Sequence, residues 1–228
     1  MKCRVLEKSA RSANLPHTRM SKLEIPRKAI YRLSLYYRNL LRLKQNDVPT
    51  VSSATLAKAA GVKPTQLRKD LTYIGQFGTR GLGYGVEEMC QRLSSAIGRT
   101  VLQPVILVGA GHLGSALARY DGFTKEGFEI IAAFDIDAAK RQTVLGGDAH
   151  LRVRATTGMK AFIRKRGVKM AILSVPVMVA QEVTNELVES GIQAILNFCP
   201  TVLQVPSTVF VNNVDLAIEL ENLSYFIR

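Results

Sequence analysis

Residues 105–123 read VILVGAGHLGSALARYDGF, an apolar run that enters a glycine loop and a helical pattern that leaves it. Gly109-Ala110-Gly111-His112-Leu113-Gly114 has the GxGxxG spacing, and its surroundings give that spacing weight. Val105–Val108 is the strand expected before the loop, and SALARY is the helix expected after it. FEIIAAFD (128–135) supplies a second apolar strand ending in Asp135, 21 residues beyond Gly114. Gly109 permits the tight turn, Gly111 lets backbone approach a pyrophosphate, and Gly114 lets helix pack close to strand. The free N–H groups and positive dipole of the helix start then face the phosphates. Asp135 is suited to accept hydrogen bonds from the adenosine ribose and to repel a 2′-phosphate, which favours NAD(H) over NADP(H).

Beyond this unit the pattern alternates. MKAFIRKRG reads as a helix, KMAILSVP as a buried strand and MVAQEVTNELVESG as a helix. IQAILNFCP and TVFVN read as further strands, and VDLAIELENLSYFIR as a final helix. Repeated β–α units predict a Rossmann-like, doubly wound parallel sheet covered on both faces, an α/β fold. In such a sheet Ser174-Val175-Pro176 and Asn197-Phe198 sit at strand ends on the ligand edge, although both also suit plain strand caps. The predicted cofactor contacts are therefore Gly109, Ala110, Gly111, His112, Leu113, Gly114, Asp135, Ser174, Val175, Pro176, Asn197 and Phe198, with NADH or NAD⁺ as the ligand.

Charge divides the chain of 228 residues. Residues 1–100 carry 19 Lys and Arg against 6 Asp and Glu, whereas residues 101–228 carry 12 of each. A basic part fused to a neutral part suggests two tasks, with a polyanion as partner of the first; a merely solvated basic surface is the alternative. Residues 1–24 read as a basic flexible tail, or as sequence upstream of a start at Met20. From Pro26, Ile30, Leu33, Tyr37, Leu40 and Leu41 recur at helical steps. Ser52 or Ser53 suits the N-cap of a short helix ending before Gly61, and a second helix opens at Pro64 with Leu67, Leu71 and Ile74 inward.

Short helix, glycine turn and second helix form a helix-turn-helix. Its outward side chains match double-stranded DNA: Arg and Gln pair bidentately with guanine and adenine edges, and Lys and Thr reach phosphates. An ordinary helical hairpin with a wet face is the alternative. QFGTRGLGYG (76–85) lacks the phosphate-loop spacing and suits a β-hairpin wing with Arg80 at its tip. The predicted DNA contacts are Ser52, Ser53, Lys63, Thr65, Gln66, Arg68, Lys69, Thr72, Tyr73 and Arg80. EEMCQRLSSAIG (87–98) forms a connecting helix. The expected domains are the tail (1–24), a winged-helix DNA-binding domain (25–98), a Rossmann domain (99–212) and a C-terminal helix (213–228).

Catalysis lacks a signal. His17 lies in the tail, His112 in the glycine loop, and His150 has no carboxylate partner nearby in sequence. No room remains for a substrate domain of ordinary size, so binding without turnover is expected; an NAD-dependent oxidoreductase with a basic accessory domain is the alternative. The three cysteines, Cys3, Cys90 and Cys199, make neither a CxxC pair nor an even set, so no metal is expected and a cytoplasmic location is. No apolar run approaches the roughly 20 residues of a membrane span.

IPRKAIYRLSLYYRNL, VSSATLAKAAGV, QLRKDLTYIGQFGTRGLGYGV, VGAGHLGSALARY, AAFD, AILSVP, ILNFCP and VDLAIELENLSYF, in this order, resemble the Rex family of redox-sensing transcriptional repressors from about Ile25 to Ile227. The long basic N-terminal segment departs from that family. The resemblance implies a homodimer on a palindromic operator, Rossmann domains that distinguish NADH from NAD⁺, and a C-terminal helix exchanged with the partner subunit. It also implies switch roles for Arg32, Tyr120 and Asp215, and an Arg32–Asp215 ion pair is expected on that basis. On the residues alone, Leu216, Leu220, Leu223 and Ile227 form an apolar stripe that packs either on its own chain or on a second copy.

Overall fold

The computed structural model describes residues 25–75, 78, 82–99, 101–137, 140, 144–145 and 151–227. The tail over 1–24, Arg80 and most of the wing loop lie outside the described residues, as do His17 and His150. The chain divides into two compact units between Ile97 and Gly98.

In the first unit, α1 (Arg27–Gln45) leads through β1 (Thr50–Val51) to α2 (Ser53–Ala59) and α3 (Pro64–Leu71), followed by β2 (Tyr84–Gly85) and α4 (Val86–Ala96). Ser52 caps α2 by accepting the N–H of Thr55, Gly61 takes the left-handed turn at φ +67°, and Pro64 opens α3 where its missing N–H costs nothing. β2 pairs antiparallel with β1, so the described part of the expected wing is anchored at the start of the helix-turn-helix. A Cβ on Gly83 would lie 2.5 Å from the Val51 carbonyl, and this close approach requires glycine. The core is Leu33, Tyr36, Leu40, Leu56, Leu67, Met89 and Leu93. The buried face of α1 is Ala29, Leu33, Tyr36 and Leu40, rotated from the expected one, and Ile30 is exposed. Tyr36 takes the inward place because a buried partner waits for its hydroxyl.

The second unit is the expected sheet. β3 (Gln103–Val108), β4 (Phe128–Asp135) and β6 (Leu151–Ala155) form one half; β7 (Met170–Leu173), β8 (Ala194–Asn197) and β9 (Phe210–Asn213) form the other. The spatial order is β5-β6-β4-β3-β7-β8-β9, and all pairs are parallel except the short edge strand β5 (Val144–Leu145). The chain starts at the centre, winds to one edge, and returns to build the other half beside β3. The crevice for a ligand therefore opens beyond the C-terminal ends of β3 and β7. Along β3, Val105 and Leu107 pack on one face while Ile106 and Val108 pack on the other. Between the strands run α5 (His112–Ala118), α6 (Gly122–Lys125), α7 (Met159–Arg166) and α8 (Val177–Ser190), and α9 (Leu216–Ser224) ends the chain. β6 escaped the reading of the sequence because LRVRA buries only Val153 fully and carries arginine on either side of it.

Candidate functional site

The glycine loop meets the geometric demands of a phosphate turn. Gly109 adopts φ +98°, and a Cβ there would lie 2.3 Å from the Ser174 carbonyl. Gly114 is tighter still, since a Cβ would lie 1.9 Å from the Gly109 carbonyl. Gly111 is the opposite case: its Cβ would meet nothing within 4 Å. Two glycines are thus required by the protein itself, and the third fronts open space at the start of α5. The N–H groups of Gly111, His112 and Leu113 sit in the first turn, where a helix has no carbonyl of its own to offer. A dinucleotide pyrophosphate fits this donor set, and His112 and Leu113 are both exposed at its edge.

Asp135, buried at the end of β4, accepts from Ala110 N at 2.7 Å and Asp137 N at 2.8 Å, with Lys140 Nζ at 3.3 Å. Burial pushes its carboxyl up, but the two backbone hydrogen bonds and Lys140 more than offset this and hold it below the usual range. From β7, Ser174 Oγ donates to the Gly109 carbonyl at 2.9 Å, fixing the loop from the other half of the sheet. The Val175 carbonyl accepts from Cys199 Sγ at 3.0 Å, and burial pushes that thiol up. Pro176 is the exposed N-cap of α8, and Phe198 is half-buried against the core.

Asn197, expected among the ligand contacts, is fully buried and donates to the carbonyls of Cys199 and Thr201 and to Asn213 Oδ1, while Oδ1 accepts from Cys199 N. These hydrogen bonds knot the loop after β8.

Of the residues expected to contact DNA, Ser52, Lys63, Thr65, Arg68, Lys69 and Thr72 are exposed, and Ser53, Gln66 and Tyr73 are half-buried. Arg68 Nη1 donates to Ser53 Oγ at 3.2 Å, joining α3 to the start of α2. Thr72 Oγ1 donates to the Lys69 carbonyl.

The residue that sequence reasoning missed is Asp70, on α3 and 1% exposed. Arg32 grips it bidentately, Nε to Oδ2 and Nη2 to Oδ1, both at 2.6 Å. Tyr36 donates to Oδ2 at 2.8 Å and Gln66 Nε2 to Oδ1 at 2.9 Å. Burial pushes Asp70 up, yet the hydrogen bonds from Arg32, Tyr36 and Gln66 hold it below the usual carboxylate range; burial also raises Tyr36. Within its own unit the Arg32 guanidinium is engaged by Asp70, and within the other unit Asp215 caps α9 by accepting from Ala217 N and Ile218 N. Tyr120 is exposed and stacks edge-on with Phe123.

Among the described residues no group of His, Cys, Asp and Glu could hold a metal, and no helix is long and apolar enough to cross a membrane.

A helix-turn-helix with a basic outer face, joined to a Rossmann sheet whose glycine loop fits a dinucleotide, defines a nucleotide-responsive DNA-binding regulator. Comparisons with known proteins agree for each unit. Residues 24–72 match the family profile described as "Putative DNA-binding protein N-terminus", and residues 102–201 match "CoA binding domain". The redox-sensing transcriptional repressor Rex of Pelotomaculum thermopropionicum is 43% identical over 90% of this chain and 95% of that relative. The one of Streptomyces coelicolor is 44% identical over 88% and 77%. A crystal structure of RSP in complex with beta-NAD+ and operator DNA superposes with a TM-score of 0.83, at 36% identity, covering 89% of this chain and 92% of that one. RSP in complex with beta-NADH gives 0.78 at 35% identity, covering 90% and 94%. The chain belongs to the Rex family of redox-sensing transcriptional repressors.

Proposed function

We propose that this chain acts in the cytoplasm as a homodimeric repressor that holds a palindromic operator and lets it go when NADH occupies the Rossmann unit. The observation that carries this reading is the open space at Gly111, in a loop otherwise closed by Gly114, Ser174 and Asp135. Room for a pyrophosphate is kept where the protein could have filled it. The chain is a repressor rather than an enzyme, as its relatives are named.

The residues divide the work. Gly111, His112 and Leu113 offer backbone donors to the phosphates, and Asp135 offers its remaining acceptor capacity to the ribose. Ser174, Val175 and Pro176, at the end of β7, border the crevice where the nicotinamide end would lie. When bound, the cofactor brings a ring that is positively charged only in its oxidised form. A closed apolar pocket disfavours the unpaired cation, and each tenfold preference for NADH needs only about 1.4 kcal/mol. On the DNA side, Thr65, Gln66, Arg68 and Lys69 of α3 face the major groove, with Ser52, Ser53, Lys63, Thr72 and Tyr73 around them, and Arg80 is a further proposed contact. Two such helices read a two-fold site only when spaced by about one duplex turn or a multiple of it. A dimer whose spacing depends on cofactor state thus releases DNA. Linkage then requires operator to weaken NADH binding by the same factor that NADH weakens operator binding.

The test is a gel-shift titration on a duplex selected by the full-length chain from a random pool. NADH is expected to release the duplex and NAD⁺ to leave it bound. Equal retention with both forms, or equal NADH affinity by calorimetry with and without the duplex, overturns the reading.

A further inference from the structure

The hub around Asp70 has a consequence for how DNA sequence is read. Each carboxylate oxygen takes two donors: Arg32 Nη2 and Gln66 Nε2 on Oδ1, Arg32 Nε and the Tyr36 hydroxyl on Oδ2. A carboxylate has about four acceptor sites, so this one is filled. Arg32 and Tyr36 come from α1, Gln66 and Asp70 from α3, so Gln66 is the one of Asp70's three partners that belongs to the recognition helix itself, and it is half-buried. An ionised carboxylate only accepts, so the Gln66 atom against it is the amino group, and the amide cannot turn over without placing oxygen against oxygen. A glutamine free to turn presents either a donor or an acceptor to a base edge. This one has one amino hydrogen spent on Asp70, so its orientation is fixed and it offers a base edge its carbonyl beside the one remaining amino hydrogen.

We propose that Asp70 is a positioning residue that holds the Gln66 carbonyl outward, so that Gln66 selects a base by accepting from the exocyclic amino group of adenine or cytosine in the major groove. Guanine and thymine offer only acceptors there, and the fixed carbonyl is repelled by them. The inference rests on the DNA-binding reading above and adds to it the chemistry of one contact.

The experiment uses the full-length chain and a duplex it has selected from a random pool. Each adenine is replaced in turn by purine, and each cytosine by 2-pyrimidinone, deleting one amino group at a time. One such deletion per half-site is expected to weaken binding roughly 5- to 100-fold, and that loss is expected to vanish in Gln66→Ala. In Asp70→Asn the same deletion is expected to matter several-fold less, because the amide at position 70 accepts either orientation of Gln66. Should Asp70→Asn fail to fold, Arg32→Met/Asp70→Asn leaves no buried charge unpaired and gives the same readout. An amino-group deletion that weakens binding equally in wild type, Gln66→Ala and the position-70 variants overturns the proposal, as does insensitivity at every position. If the chain selects no duplex at all, it is the DNA-binding reading that has failed.

Discussion

Asp135 accepts the backbone N–H of Ala110 at 2.7 Å, so the carboxylate ending β4 closes the loop that begins where β3 ends. The residue expected only to meet a ribose is also a strut of the loop itself. Its carboxyl is held below the usual range, which has a consequence for pH. A depressed carboxylate contributes stability in full above its unfolded value of about 4, and loses it as pH falls through the lower folded value. Thermal unfolding followed by circular dichroism between pH 7 and pH 3 is expected to fall more steeply at the acid end in wild type than in Asp135→Asn. Parallel curves for the two proteins would show that Asp135 contributes nothing to this dependence. The same variant is expected to release DNA less readily with NADH.

The glycines separate folding from binding. Gly111→Ala places a methyl group in open space at an ordinary φ of −71°, so the unfolding free energy is expected to move by no more than about 0.5 kcal/mol. The NADH concentration needed for half-release of DNA is expected to rise at least tenfold, because the methyl group occupies the place of the phosphates. Gly114→Ala drives a Cβ into the Gly109 carbonyl and is expected to lower stability and ligand binding together. Denaturant titration beside cofactor titration distinguishes the two patterns.

How far the fold could be read from the sequence follows from the range of the interactions. β4 was read as FEIIAAFD and is Phe128–Asp135, and the Ser52 cap, the Gly61 turn and Pro64 were also legible, because each depends on neighbours in the chain. The glycine spacing was legible for the same reason. Asp70 was not: its partners on α1 lie 34 and 38 residues away, and between Lys69 and Leu71 it looks like one more polar residue on a wet helix. The hydrogen bonds of Asn197 were not legible either, because nothing local shows that Asn213, 16 residues on, would engage it.

The Arg32–Asp70 pair is expected to behave as a buried charge pair. Asp70→Ala strands a guanidinium and is expected to cost about 3–5 kcal/mol, whereas Arg32→Met/Asp70→Asn is expected to recover most of that loss. Urea titrations of the two variants check it, and equal destabilisation would show that the partners matter separately rather than as a pair.

Asn197→Ala is expected to destabilise the second unit before it alters cofactor response. It removes the partners of the Cys199 N–H, the Cys199 and Thr201 carbonyls and the Asn213 side chain in one step. Leaving a buried polar group unsatisfied costs about 1–3 kcal/mol. A variant of unchanged melting temperature with lost NADH response would place Asn197 in the ligand site after all.

The C-terminal helix carries the strongest prediction about assembly. Leu216, Ile218, Leu220 and Leu223 of α9, with Tyr225, Phe226 and Ile227 beyond it, are all more than half exposed. A contiguous apolar surface of this kind on a folded chain marks an interface, and a stable one buries roughly 800 Å² per partner. Leu220→Asp/Leu223→Asp places two charges in that stripe without touching the cores of either unit, since neither side chain is buried. Sedimentation velocity at micromolar concentration is expected to show a dimer for wild type and a monomer for the variant. Operator affinity is expected to fall at least a hundredfold, because two recognition helices no longer bind as one body. A variant that stays dimeric and well folded would move the subunit interface away from α9, and with it the route by which cofactor state reaches the DNA.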